Sequence, residues 1–138
     1  MSVRLVKLAV LYLVTGMSLG IWMGIAQDHT LRGAHAHINL LGWATLAVCA
    51  LIFFVFPKLA ETRLAAVWFW LYNLSLPVAM VSLGFMLYGN MWAMPIVKVS
   101  HTLLWIGGIV FALNVFLNLR QPVQVRDGAS DAVLAARR

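Results

Sequence analysis

Apolar residues in this chain gather into four long, almost unbroken stretches. They run from about Leu8 to Ala26, Ala34 to Phe56, Ala65 to Tyr88 and Pro95 to Leu119. Each reaches the roughly 20 residues that a helix needs to cross the hydrocarbon core of a bilayer. In lipid, every backbone N–H and C=O must find its partner within the segment, so helices are expected. The pattern therefore predicts an all-α fold: a bundle of four transmembrane helices over residues 1–120 and a short polar tail over 121–138. Within the tail, "SDAVLAARR" is expected to form a capped helical turn or two, with Ser130 as the cap.

The first stretch has features of a signal peptide. Arg4 and Lys7 precede it, and Gly24-Ile25-Ala26 resembles a small-x-small cleavage site. Its apolar part exceeds the roughly 7–15 residues usual for such signals, so it is read as a retained span.

Composition sharpens the picture. Of 138 residues, 63% are hydrophobic and 10% charged. A soluble domain carries about 25% charged residues, so lipid must stand in for the missing polar surface. The formal charge of +6 does not point to nucleic acid, because the cations sit at the ends of the apolar stretches. One side receives Arg4, Lys7, Lys58, Arg63, Arg120, Arg126, Arg137 and Arg138; the other receives Arg32 and Lys98. The positive-inside rule then puts both termini in the cytoplasm. Cys49, alone and in mid-stretch, reads as a small apolar side chain.

Several residues read as packing devices. Gly16, Gly20 and Gly24 recur every fourth position and line one helix face, which lets a neighbouring backbone approach closely. Gly108 and Ala112 give the fourth helix a comparable face. Pro77 removes one backbone hydrogen bond from the third helix, and Asn73 and Ser75 beside it are expected to pair with freed carbonyls.

The histidines are harder to explain by packing. His29 falls in the first outer loop, His35 and His37 open the second span, and His101 lies early in the fourth. His37 is 21 residues before Lys58, and His101 is 19 before Arg120. At about 1.5 Å per residue these two differ in depth by about 3 Å, and His35 lies about 3 Å further out than His37. Three imidazoles thus share one layer near the outer surface. His35 stands over Asn39, Gly42 and Cys49; His37 stands over Leu41, Ala44 and Val48. The two are about 200° apart on a helix, so they serve different partners or the helix starts between them. His101 stands over Leu104, Trp105 and Gly108.

Ionisable groups within a span are functional hypotheses by default, and neutral imidazole is the commonest metal ligand. Two cofactors compete. A haem would take one or two axial imidazoles, walls such as Trp43, Trp92 or Trp105, and Arg32 and Lys98 for its propionates. Copper would take His29, His35, His37 and His101 with Met91 or Met94, since thioethers suit Cu(I). A cofactor-free structural or assembly subunit is the third reading. Asp28, Glu61, Asp127 and Asp131 all lie in loops or the tail, so no acidic relay crosses the membrane. No nucleophile sits beside a base at helical spacing, so soluble-hydrolase motifs are absent; with haem or copper bound, an enzyme here would be an oxidoreductase.

"LRGAHAHINLLGW", with the apolar run that ends in "FFVFP", resembles the second transmembrane helix of haem-copper oxidase subunit I. The likeness is to the nitric-oxide-reductase branch and covers about 25 residues. By that pattern His35 corresponds to the ligand of the low-spin haem b and Arg32 to the accompanying arginine. Gly33 stands where the branch often has proline, and His37 becomes the ligand if the register shifts by two. Subunit I is built from three four-helix arcs, and this chain has the helices of one. The resemblance therefore implies a homotrimer, with haem held between chains. It also implies a bacterial-type inner membrane and a redox partner. The expected function is haem b binding, for electron transfer or for NO or O2 binding or turnover. His35 and His101 are the first-choice ligands and His37 the next, with Arg32, Lys98 and Trp105 around the ring.

Overall fold

A computed structural model describes residues 1–119. The tail, its expected Ser130-capped turn and the arginines from Arg120 onward lie outside the described residues. Four helices dominate: α1 (Ser2–Ala26), α2 (Arg32–Val55), α3 (Arg63–Leu87) and α4 (Met94–Asn118). All four are long and apolar enough to cross a membrane, and no strand occurs among the described residues. The chain is a multi-pass membrane protein whose outward-facing Val, Leu, Ile and Phe side chains meet lipid.

The helix ends go beyond the apolar stretches. α1 begins six residues earlier than hydropathy suggests, so Arg4 and Lys7 occupy its first two turns. Hydropathy marks the part of a helix inside hydrocarbon; backbone bonding continues past it until a cap or a breaker intervenes. Thr62 caps α3, its Oγ1 accepting from the Ala65 N–H at 3.0 Å. Pro57 opens a short helical turn, Pro57–Ala60, and Pro95 sits in the first turn of α4, where a missing N–H costs nothing.

The helices pair as two antiparallel hairpins, α1 with α2 and α3 with α4. The first is interlocked through glycines. A Cβ at Gly16 would strike the Asn39 side chain, and one at Gly20 would come within 2.9 Å of the His35 ring. One at Gly42 would meet the Tyr12 ring at 2.5 Å. The glycine stripe of α1 is thus a packing surface at Gly16 and Gly20, while Gly24 faces open space. On α4 the buried small residue is Gly107, 3.3 Å from Tyr72 by the same construction; Gly108, expected on that face, is exposed. A shift of one residue changes the face by about 100°, which composition alone does not settle.

Side chains join the hairpins at three levels. Furthest from the histidines, Phe53 of α2 lies edge-on between Trp68 of α3 and Phe111 of α4, with centroids 5.6 and 5.8 Å away. Fully buried Asn114 of α4 adds a polar clasp there: it donates to the Leu59 carbonyl at 3.0 Å and accepts from Thr62 Oγ1 at 2.8 Å. In the middle, Tyr72 Oη of α3 donates to the Leu41 carbonyl at 3.1 Å. The third level is the histidine end.

Near Pro77, the side chains of Asn73 and Ser75 donate to the carbonyls of Phe69 and Leu71, at 2.8 and 2.7 Å. They bind one turn before themselves. The carbonyl that Pro77 leaves without an N–H is that of Asn73 itself, so the expected repair does not occur as drawn.

Candidate metal centre

The half of α2 that carries the histidines is not a regular α-helix. Arg32–His37 is α-helical, Ile38–Ala44 is a π-helix, and α-geometry resumes at Thr45. A π segment winds one extra residue into the helix and shifts the faces of its two ends relative to each other. The effect on His37 can be counted. Phe53 faces α4 through Phe111, and His37 is sixteen residues before it. A regular helix turning about 100° per residue would put the two about 160° apart, on opposite faces. Absorbing one residue reduces the offset to about 60° and turns His37 toward α4. Local groups satisfy the altered backbone: Asn39 Nδ2 donates to the His35 carbonyl at 2.9 Å, and Thr45 Oγ1 donates to the Leu40 carbonyl at 2.9 Å.

His37 and His101 meet there, on different hairpins. Their ring centroids are 5.9 Å apart and the rings cross at 74°. Each Nδ1 is engaged one turn back on its own helix, His37 with the Gly33 carbonyl at 2.7 Å and His101 with the Val97 carbonyl at 2.9 Å. A carbonyl only accepts, so Nδ1 is the donor in both rings, and a neutral ring so tied presents Nε2 as its acceptor. That is the tautomer in which imidazole binds a metal, and a backbone carbonyl on the other nitrogen is the usual way of fixing it.

His35 points elsewhere. Its Nδ1 lies 2.9 Å from the Gly16 carbonyl of α1, and its ring fills the space left by Gly20. Of the two alternatives for the histidine pair, the structure has the first: α2 starts at Arg32, before both, and they serve different neighbours. His35 ties α2 to α1, while His37 faces α4.

The other expected residues form a looser ring. Arg32 and Lys98 are exposed in the histidine layer, one on each hairpin, and Trp105 is 68% exposed one turn below His101. Gly108, one turn further, has open space around it. Trp92 is 60% exposed and stacks on Phe85 at 5.4 Å, and Trp43 is half-buried against α1. Met91 is exposed and Met94 half-buried at the start of α4. His29 is exposed in the loop beside Asp28. Among the described residues, no group of three or more His, Cys, Asp or Glu side chains comes together.

Asp28 organises that loop. Its Oδ1 accepts from the Thr30 N–H at 2.9 Å, and Tyr88 Oη at the end of α3 donates to Oδ2 at 3.1 Å. The bonds from Thr30 come first in pulling its carboxyl below the ordinary range, while desolvation first and the Asp28 partnership second push the Tyr88 phenol up.

Sequence reading missed two parts of this arrangement. The π segment has no signature in an all-apolar stretch, because there is no polar stripe to show the extra residue. The carbonyls of Gly33 and Val97 are backbone groups that every sequence supplies. Comparison with known protein families, with characterised proteins and with solved structures gave no match.

Proposed function

We propose that this protein holds a b-type haem near one membrane surface, and that His37 and His101 are the residues that would hold its iron. The observation that carries the reading is that pair: two rings from two hairpins, 5.9 Å apart, each with Nδ1 tied to a carbonyl. Two imidazoles on one metal, with bonds of about 2.0–2.1 Å, hold their centroids roughly 5–6.5 Å apart. The donor set fits haem better than a bare ion. A tetrahedral zinc takes three or four protein donors, whereas haem iron needs one or two. Exposed Trp105 and the open space at Gly108 offer a ring an apolar edge, and Arg32 and Lys98 offer two propionates their counter-charges.

When bound, the haem would supply reversible one-electron chemistry. The chain's own part is to orient and shield. Gly33 and Val97 fix the tautomers, the π segment turns His37 inward, and the lipid-facing residues keep water from the rings. Two retained imidazoles favour electron transfer with a redox partner; loss of one opens a position for NO or O2. In this reading both termini lie on the cytoplasmic side of a bacterial-type inner membrane, as the cation asymmetry supports. The homotrimer implied by the oxidase likeness is a separate proposal, since one chain supplies two imidazoles by itself. Its test is the mass in detergent, and a haem-loaded monomer would exclude it.

The decisive experiment is an absorption spectrum of purified protein before and after dithionite. A Soret band that sharpens on reduction is expected. His37→Ala and His101→Ala should each lose most of the bound haem, while His29→Ala and His35→Ala keep it. If His35→Ala alone abolishes binding, the oxidase-like register holds instead. Colourless protein with stoichiometric copper by elemental analysis would replace the haem reading with the copper one, which the same free nitrogens serve.

A further inference from the structure

At the end opposite the histidines, α1 and α2 enclose a groove of about 610 Å³ that opens to the lipid. Its floor is made of small side chains, Ala9, Ala47 and Ala50. Valines of α1, Val6 among them, form one wall, and Leu51 and Phe54 of α2 form the other. Trp43 closes it in mid-membrane; Ser2 stands at the mouth, and Lys7 lines the groove about 7.5 Å further along α1, from where its long side chain reaches back toward the mouth. Along α2 the groove runs from Phe54 to Trp43, about 16 Å at the helical rise. Half of a bilayer's hydrocarbon core is about 15 Å. The groove is therefore one leaflet deep.

We propose that it seats an acyl chain of an anionic phospholipid, whose phosphate lies on Lys7. Two features favour a lipid over a second copy of this chain. A partner helix would need a contact running across the whole membrane, and Trp43 stops the groove halfway. The mouth also lies in a cationic zone: Arg4, Lys7, Lys58 and Arg63 are all at this end, with Glu61 the one acid there among the described residues. A second copy would bring the same cations, whereas a phosphate complements them. The exposed Lys7 ammonium and the Ser2 hydroxyl both donate hydrogen bonds, as a phosphodiester requires.

The test is native mass spectrometry of the full chain released from nanodiscs of equal parts phosphatidylglycerol and phosphatidylcholine. One retained phosphatidylglycerol is expected, preferred about fivefold over phosphatidylcholine, the effect of one cation near the surface. Lys7→Glu should abolish the preference, and Ala47→Phe should abolish retention of both lipids. Helix content by circular dichroism checks that each variant folds. Equal retention of the two lipids, or a preference that survives Lys7→Glu, overturns the proposal. So does a disulfide between copies of a Val6→Cys variant, which would show a second chain in the groove. None of these outcomes touches the histidine pair, so haem binding and lipid binding stand or fall separately.

Discussion

Single residues carry unequal weight in this fold, and geometry tells which matter. Gly16 has the Asn39 side chain where its Cβ would be, whereas Gly24 faces open space, although both belong to one sequence stripe. Gly16→Leu should destabilise the protein by about 1–3 kcal/mol through overpacking, and Gly24→Leu should stay within about 0.5 kcal/mol. Thermal unfolding in detergent would measure both. Asn114→Leu strips the Leu59 carbonyl and Thr62 of their buried partner and should cost about 1–3 kcal/mol by the same assay. The layer of histidines was legible in the sequence, because counting from flanking cations gives depth. Which of them meet was not legible. That depends on rotation about the helix axis, and a difference of one residue, about 100°, decides it.

Elements were legible by number and hidden in detail. Four apolar stretches announced four spans, since lipid demands about twenty apolar residues per crossing. The interruption of α2 left no trace, because Ile38–Ala44 is apolar on nearly every side. If the π segment orients His37, deleting Leu40 should convert it to α-helix and turn His37 by about 100°. Expected is loss of the cofactor with helix content by circular dichroism unchanged; retained cofactor would show that α2 tolerates either winding. The loop before α2 invites a pH measurement. The depressed Asp28 carboxyl favours the folded loop above the ordinary carboxylate range, and that contribution fades as pH falls through its folded value. The raised Tyr88 phenol works oppositely: its contribution holds below about 10 and is lost as pH rises beyond. Hydrogen-exchange protection at residues 27–31, taken relative to the intrinsic rate at each pH, should be greatest between those limits, and Tyr88→Phe should remove the alkaline arm.

At the scale of the molecule, the sorting of the spans into two hairpins was not legible in the sequence, since all four are similarly apolar. That division follows from which faces carry glycine and which carry rings. Backbones approach closely within each hairpin, while between them aromatic edges, two phenols, one amide clasp and two imidazoles add to the shared apolar core. If the proposed haem bridges His37 and His101, it would act as a rivet, because a ligand that binds only the joined form stabilises it by an amount that grows with its affinity. The protein should therefore survive being made in two pieces. Fragments divided between Glu61 and Thr62 and produced together should co-purify when iron porphyrin is plentiful and drift apart when its synthesis is blocked, which would turn a broken chain into a gauge of cofactor supply.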